Sequence, residues 1–179
     1  MQLQNRTELA RHFADLGFNV GAEVGVADGR YSEILCQQIP DLKLYSIDPW
    51  DVYNIKWRTQ KYQNKAFEIA KKRLAPYNAI LIKKTSVEAS YFIDDNSLDF
   101  VFIDGVHSYD HVMEDIITWN RKVKKGGIIS GHDYYKFLDH GVIHAVDDYT
   151  RHHKIKFNLT KRYTGGHKDD TPPCWWWVK

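Results

Sequence analysis

Two groups of side chains in this sequence have the types and spacing of a chemical site. The first is Glu23-Val24-Gly25-Val26-Ala27-Asp28-Gly29, with Asp48 further along the chain. An acid at the tip of a strand accepts hydrogen bonds from a ribose diol, and glycines at a strand-to-helix turn let a ligand approach the backbone. A dinucleotide loop needs glycine at its first, third and sixth positions, which here are Gly25, Ala27 and Arg30. Glu23 and Asp28 would oppose a pyrophosphate but suit an ammonium group. The ligand expected is therefore a nucleoside with a cationic tail and no phosphates. Taken alone, the same residues would also serve as a plain glycine turn with surface acids.

The second group is Asp104, His107, His132 and Asp133. A histidine titrates near neutral pH and can take a proton from a hydroxyl as that oxygen attacks. Two carboxylates at one rim can hold a divalent ion, which lowers the pKa of a bound hydroxyl. Any one of these residues could be a capping or surface side chain. Their joint placement at two strand ends is what points to chemistry.

The elements that must position both groups follow from the pattern of apolar residues. Thr7 is expected to cap a helix running to about Leu16, stopped by Gly17. A strand follows over about Val20 to Gly25, a helix over Tyr31 to Gln38, and a second strand over Lys43 to Ile47, ended by Asp48-Pro49. Trp57 to Leu74 reads as a helix, Ala79 to Lys83 as a third strand, and Ser86 as the cap of a short helix. Asp99 to Asp104 is apolar on both faces, as in a buried parallel strand. Tyr109, Val112, Met113, Ile116, Ile117 and Trp119 then recur at helical spacing. Gly126-Gly127 turns that helix into a fifth strand, Ile128 to Ser130, and a last helix is expected around Val142 to His153.

Two further strands, Lys156 to Thr160 and Cys174 to Val178, have a Gly165-Gly166 turn region but no helix between them, which implies an antiparallel pair. The triple tryptophan Trp175-Trp176-Trp177 fits a strand buried on both faces better than a binding platform. Open sheets of this kind bind ligands beyond the carboxyl ends of their strands, where Glu23 to Gly29, Asp48, Thr85-Ser86, Asp104 to His107 and His132-Asp133 all fall. Trp50, Tyr53 and Trp57 follow the second strand and are placed to cover a ligand or to pack on the sheet.

Bulk properties narrow the classes. The chain has 179 residues and a net charge of +2, which fits one domain spanning residues 1–179. Basic residues are scattered, so no nucleic-acid footprint stands out. The two cysteines, Cys36 and Cys174, have no metal-ligand spacing and suit a reduced, cytoplasmic setting. Neither a signal peptide nor a membrane span is expected.

A nucleoside with a cationic tail and no phosphates is S-adenosylmethionine (SAM), and Glu-x-Gly-x-x-x-Gly with Asp48 resembles class I SAM-dependent methyltransferases. Phe102-Ile103-Asp104-Gly105-Val106-His107-Ser108-Tyr109, with Val112, Asp115, Trp119, Gly126-Gly127 and His132-Asp133-Tyr134, is similar to small stand-alone relatives of the macrocin-type sugar O-methyltransferases. The resemblance spans roughly residues 20–135, and beyond that only topology agrees. It implies an α/β, Rossmann-like fold with a seven-stranded, mostly parallel sheet, an antiparallel C-terminal strand, and helices on both faces.

By the same resemblance, Glu23, Gly25, Val26 and Gly29 would shape the methionine pocket, Asp48 would bind the ribose, and Ser86 would lie near the adenine. Asp104 would serve cofactor, catalysis and metal, with His107 as base. Metal-using relatives carry two adjacent acids where this chain has His132-Asp133. Three readings stay open: Mg²⁺ on Asp104, Asp133 and water; a softer divalent ion that also uses His132; or no metal. The acceptor expected is a small molecule such as a sugar, with no nucleic-acid or membrane partner and an open oligomeric state that includes a dimer. The rivals are an N-methyltransferase, and a SAM-binding regulatory or scaffold subunit without turnover.

Overall fold

The structure is a computed structural model that describes residues 2–52, 59–136, 138–162 and 171–179. Tyr53, Trp57 and the Gly165-Gly166 turn lie outside them. The chain alternates strictly at first: α1 (Arg6–Asp15), β1 (Val20–Val24), α2 (Arg30–Gln38), β2 (Lys43–Ile47), α3 (Gln60–Leu74), β3 (Ala79–Ile82), α4 (Ser86–Ser90), β4 (Leu98–Ile103), α5 (Tyr109–Lys122), β5 (Val123–Gly131) and α6 (Gly141–His152). Two strands then follow directly, β6 (Asn158–Leu159) and β7 (Trp175–Val178).

The strands form one sheet in the order β3-β2-β1-β4-β5-β7-β6. The pairs β3-β2, β2-β1, β1-β4 and β4-β5 are parallel, while β7 runs antiparallel to both β5 and β6. Strand order therefore reverses between β1 and β4, and that switch point opens a crevice at the carboxyl ends of the two strands.

β4 is buried along its whole length. Its alternate side chains serve opposite faces, as a period of two demands. Phe100 and Phe102 pack with Leu9, Phe13, Tyr31 and Leu35 of α1 and α2, whereas Val101 and Ile103 pack with Val112, Ile116 and Trp119 of α5 and with Ala145 of α6. Trp175 and Trp177 are fully buried and their rings stack, with centroids 5.2 Å apart. Trp176 points to the other face, partly buried against the first cluster. The tryptophans are core.

Local details differ from the sequence expectations in an instructive way. Asn5, not Thr7, caps α1, its side chain accepting from the Glu8 amide at 3.0 Å. Thr85, not Ser86, caps α4 through a reciprocal capping box with Glu88. In both cases a second polar residue stands nearby, and only the extended backbone of the true cap lets its oxygen turn back onto the helix. β5 begins at Val123 rather than Ile128, because Gly126, with φ of 83°, is accommodated in an irregularity of the β4-β5 ladder rather than in a turn before it. Tyr109 and Ile117 of the α5 stripe are exposed.

Candidate functional site

The loop after β1 is built on unusual backbone. Gly25, Ala27 and Gly29 all have positive φ, at 93°, 49° and 81°. At Gly25 a side chain is sterically impossible, since a Cβ would lie 2.1 Å from the Asp104 carbonyl oxygen. That contact ties the β1 loop to the end of β4. Gly29 is the N-cap of α2 and rests on Ala70 of α3. Val26 turns its side chain into a small core of Trp50, Ala66 and Ala70, so it offers a ligand its backbone alone.

Asp48 stands at the tip of β2. One oxygen accepts from the Ala27 amide at 3.0 Å and the other from the Trp50 amide at 2.7 Å. These bonds fix the orientation of the carboxylate beside the loop. Trp50 is fully buried, donating its indole N–H to the Ala27 carbonyl at 2.8 Å and packing on Phe67. It closes the loop from behind and is no open platform.

The two acids expected to face an ammonium behave differently from that expectation. Asp28 pairs with Arg30 at 3.0 Å, while its carbonyl accepts from Arg73 Nε. Glu23 is buried and takes a short hydrogen bond from Ser32, which also contacts the Ser46 hydroxyl at 2.9 Å. Burial pushes the Glu23 carboxyl up to about 8; the Ser32 bond opposes this and the nearby Asp104 charge adds to it. Glu23 is thus a protonated acid under the loop at neutral pH.

At the ends of β4 and β5 the second group comes together. His107 Nε2 lies 3.1 Å from Asp133 Oδ2 and 3.8 Å from Asp104 Oδ1. His132 Nδ1 lies 3.3 Å from Asp133 Oδ1 and 3.8 Å from Asp104 Oδ1. Asp133 has φ of 57°, an uncommon conformation that aims its carboxylate back between the imidazoles. Burial alone would lower the His132 pKa, but the Asp104 charge and the Asp133 bond and charge outweigh it and raise it. Burial likewise opposes ionisation of Asp133, yet His132 and the charge of His107 hold its pKa below the usual value.

Among the described residues, Asp104, His107 and Asp133 bring one ligand atom each within 4.8 Å of one another. This donor set of two carboxylates and one imidazole fits a divalent ion. The histidine in that set is His107, whereas the sequence reading had put forward His132. His132 is buried, and its Nε2 has no hydrogen-bond partner among the described residues. Trp175 buttresses it, donating to its carbonyl at 3.1 Å.

Ser86 lies at the rim just beyond β3, half-buried, with its hydroxyl bonded to Asp115 and Trp119. A concavity of about 560 Å³ lies elsewhere, between α5 and α6, lined by Tyr109, Met113, Ile117, Tyr149 and His152. None of the strand-end residues reaches it, so the chemistry and not the volume marks the site.

Two residues of this region escaped the sequence reading. Arg6, the first residue of α1, is buried, with its guanidinium over the Tyr31 ring at 5.3 Å and its carbonyl accepting from the Tyr31 hydroxyl at 3.0 Å. Its charge acts on Glu23, His132 and Asp133. A cation in the first turn opposes the helix dipole, and that misplacement was the available signal. Gly141, which opens α6, has room for no side chain: a Cβ would be 2.3 Å from the His107 carbonyl oxygen. It lets α6 support the segment that carries His107.

A methyltransferase-domain family model matches residues 22–134. A search of curated proteins finds no match. Among solved structures, an O-methyltransferase from Bacillus cereus in complex with S-adenosylhomocysteine (SAH) is similar at a TM-score of 0.69 and 15% identity, over 97% of this chain and 80% of that one. The O-methyltransferase TomG from Streptomyces achromogenes, in complex with SAM and involved in tomaymycin synthesis, gives 0.68 and 17%, over 97% and 79%. An rRNA methylase from Streptococcus thermophilus gives 0.65 and 13%, over 100% and 99%. With the family model covering the β1 loop, the β4 end and His132-Asp133, and with the matching Rossmann-like sheet around them, the chain belongs to the methyltransferase-domain family.

Proposed function

We propose that this protein transfers the methyl group of SAM to a hydroxyl oxygen of a small polyhydroxylated acceptor such as a sugar, with His107 as general base. The observation that carries the reading is the 3.1 Å contact between His107 Nε2 and Asp133. With Asp133 ionised, Nε2 carries the proton and donates it to the carboxylate, which makes Nδ1 the basic nitrogen. Fixing a tautomer in this way is how a carboxylate prepares a histidine for proton abstraction.

SAM supplies an electrophilic methyl group on a sulfonium. The chain's part is to bind, orient and deprotonate. Gly25, Val26 and Gly29 present backbone to the methionine end, Asp48 accepts from the ribose hydroxyls, and Ser86 faces the adenine. Glu23, protonated in the free protein, supports the loop from below. Alignment of acceptor oxygen and methyl group contributes much of the rate in such a displacement, and the base removes the proton as the bond forms.

A divalent ion such as Mg²⁺ would be held by Asp104, His107 and Asp133, where it would gather an acceptor diol and acidify one hydroxyl. That use engages His107 Nε2, so the residue then serves as ligand and not as base. The two uses differ in their metal dependence, which separates them.

No helix among the described residues is long and apolar enough to cross a membrane. A cytoplasmic setting and a small-molecule partner remain part of the proposal. Nitrogen as acceptor atom is less favoured, since Ile103-Asp104-Gly105-Val106 stands where amino-methyltransferases of nucleic acids usually carry an Asn/Asp-Pro-Pro-aromatic motif.

The test is calorimetry with SAH on chelator-stripped protein, with and without Mg²⁺, followed by transfer of labelled methyl from SAM to a panel of sugars and to ribosomal RNA. Binding of SAH and labelling of a sugar supports the reading. Labelling of RNA alone would replace the acceptor, SAH binding without any labelling would favour a scaffold subunit, and no SAH binding by folded protein would remove the SAM reading altogether.

A further inference from the structure

Three basic residues stand in the last turn of α3, and one of them turns inward. Lys71 and Lys72 are exposed, whereas Arg73 is half-buried against the outside of the β1 loop. Its guanidinium holds two groups at once: Nε donates to the Asp28 carbonyl at 3.0 Å, and Nη1 donates to the Glu33 carboxylate of α2 at 2.7 Å. The Arg73 and Glu33 side chains are each 28% exposed, so water screens this fork less than it screens an open surface pair. A helix end asks only for positive charge, which Lys71 and Lys72 already supply. The fork calls for a second reason.

The backbone of the loop gives one. Four consecutive carbonyls are each engaged from within the protein. That of Val26 accepts from the Gly29 amide at 2.9 Å, and that of Gly29 from the Glu33 amide at 3.0 Å. The Ala27 carbonyl accepts from Trp50 and the Asp28 carbonyl from Arg73. The Asp28-Gly29 peptide is thus fixed at both ends, its N–H by Val26 and its carbonyl by Arg73. Ala27 and Gly29, on either side of Asp28, have φ of 49° and 81°. Alanine adopts such angles at a cost in free energy, so this bend persists only while its partners hold it.

α3 is seated against the same loop along its length. Near its start, Gln60 and Gln63 donate to the carbonyls of Trp50 and Asp51 at 3.1 and 2.8 Å. Near its end, a Cβ on Gly29 would lie 3.3 Å from Ala70 Cα and 3.5 Å from Arg73 Cδ. Trp50 and Arg73 therefore grip adjacent peptides of the loop, one from the core and the other from α3.

We propose that Arg73 is a positioning residue for the nucleoside-binding loop, acting through the Asp28 carbonyl to keep the Asp28-Gly29 peptide in the orientation that receives the cofactor. This rests on the SAM reading. Arg73 itself touches no ligand. A loop that holds its competent shape only part of the time binds with affinity reduced by that fraction, so a fixed peptide is expressed as affinity. Lysine is no substitute here, because one ammonium is a point charge and cannot reproduce a planar fork aimed at two acceptors.

The test combines amide hydrogen exchange with SAH calorimetry on the full chain. In ligand-free wild type the Ala27 and Gly29 amides should already exchange slowly. In Arg73→Lys the Gly29 amide should exchange faster while the α2 and α3 amides keep their rates, and SAH should bind about tenfold more weakly, the scale of one hydrogen bond to a charged group. Glu33→Gln removes the ion pair and leaves the Asp28 bond, so its SAH affinity should stay within about twofold of wild type. A role confined to joining α3 and α2 predicts the reverse: faster exchange across both helices, equal effects of the two substitutions, and unchanged affinity. Wild-type affinity in folded Arg73→Lys overturns the inference, as does rapid exchange of the two loop amides in the ligand-free wild type, a result that needs no variant to fold. A wild type that binds no SAH while those amides stay slow overturns the SAM reading, and with it the ligand named here.

Discussion

Glu23 and Asp133 sit at the carboxyl ends of β1 and β5, two strands apart in the same sheet, and differ in charge state. Both are poorly exposed. Glu23 has a hydroxyl as its nearest partner and keeps its proton up to about pH 8. Asp133 lies between two imidazoles and ionises more readily than an ordinary aspartate. Burial pushes both the same way, so the partner decides the outcome. The β1 end thus offers a glycine-lined surface shaped by backbone over a neutral Glu23, whereas the β4-β5 end offers charge and two imidazoles. A nucleoside cofactor suits the first and proton removal suits the second.

The sharpest way to break this division is His107→Ala. Methyl transfer should fall by roughly 10²–10⁴-fold, the usual contribution of a general base, while SAH affinity stays within about twofold because the loop at β1 is untouched. Radiolabel transfer and calorimetry on the same preparation read the two effects. Equal loss of both would mean that the two ends form one unit.

Glu23→Gln tests the other end through pH. The native state holds the Glu23 proton more tightly than the unfolded chain does, so its contribution is complete below pH 4.5, is lost as pH rises, and is exhausted above about 8. Wild-type protein should therefore lose stability across that window relative to Glu23→Gln, by an amount on the order of 4 kcal/mol at 1.36 kcal/mol per unit. Thermal unfolding of both proteins at pH 5, 7 and 9 measures it. A constant difference across the three would refute the assignment.

A matched pair of glycine substitutions sharpens the comparison further. Gly25→Ala places a Cβ against the Asp104 carbonyl in a backbone with φ of 93°, and should destabilise the fold by about 2–4 kcal/mol and weaken SAH. Gly141→Ala presses on the His107 carbonyl and should lower kcat by about tenfold or more, through misplacement of the base, with little change in SAH affinity. Asn5→Ala removes the cap of α1, the helix that carries Arg6, and sets the lower end of the scale at about 1 kcal/mol.

Much of the fold was readable because its signals are local and repeat. β4 has an apolar residue at nearly every position and is buried throughout, and the stretch from Lys43 to Ile47 is bounded by Pro40 and Pro49. The cap assignments at Thr7 and Ser86 missed, because several polar residues near a helix start are equivalent until backbone angles are known. The start of β5 missed because a glycine pair reads as a turn whether or not a strand continues through it.

The positions of the candidate residues were legible more than their wiring. Glu23, Asp48, Asp104, His107 and Asp133 stand at strand ends for reasons that a sequence shows: where an apolar run stops and polar residues begin. Sequence alone determined the alternation of elements, the glycine loop, the acids at the rim and the buried tryptophans, since each follows from residue type and period. Only the tertiary structure decided that Glu23 is neutral and Asp133 ionised, that Arg6 faces the acids, and that Gly141 underlies His107. It also decided that Asp115 and Trp119 converge on Ser86. Those facts depend on which groups stand within a few ångströms across chain-distant elements, and electrostatic and hydrogen-bond energies are set by that distance and by the exclusion of water.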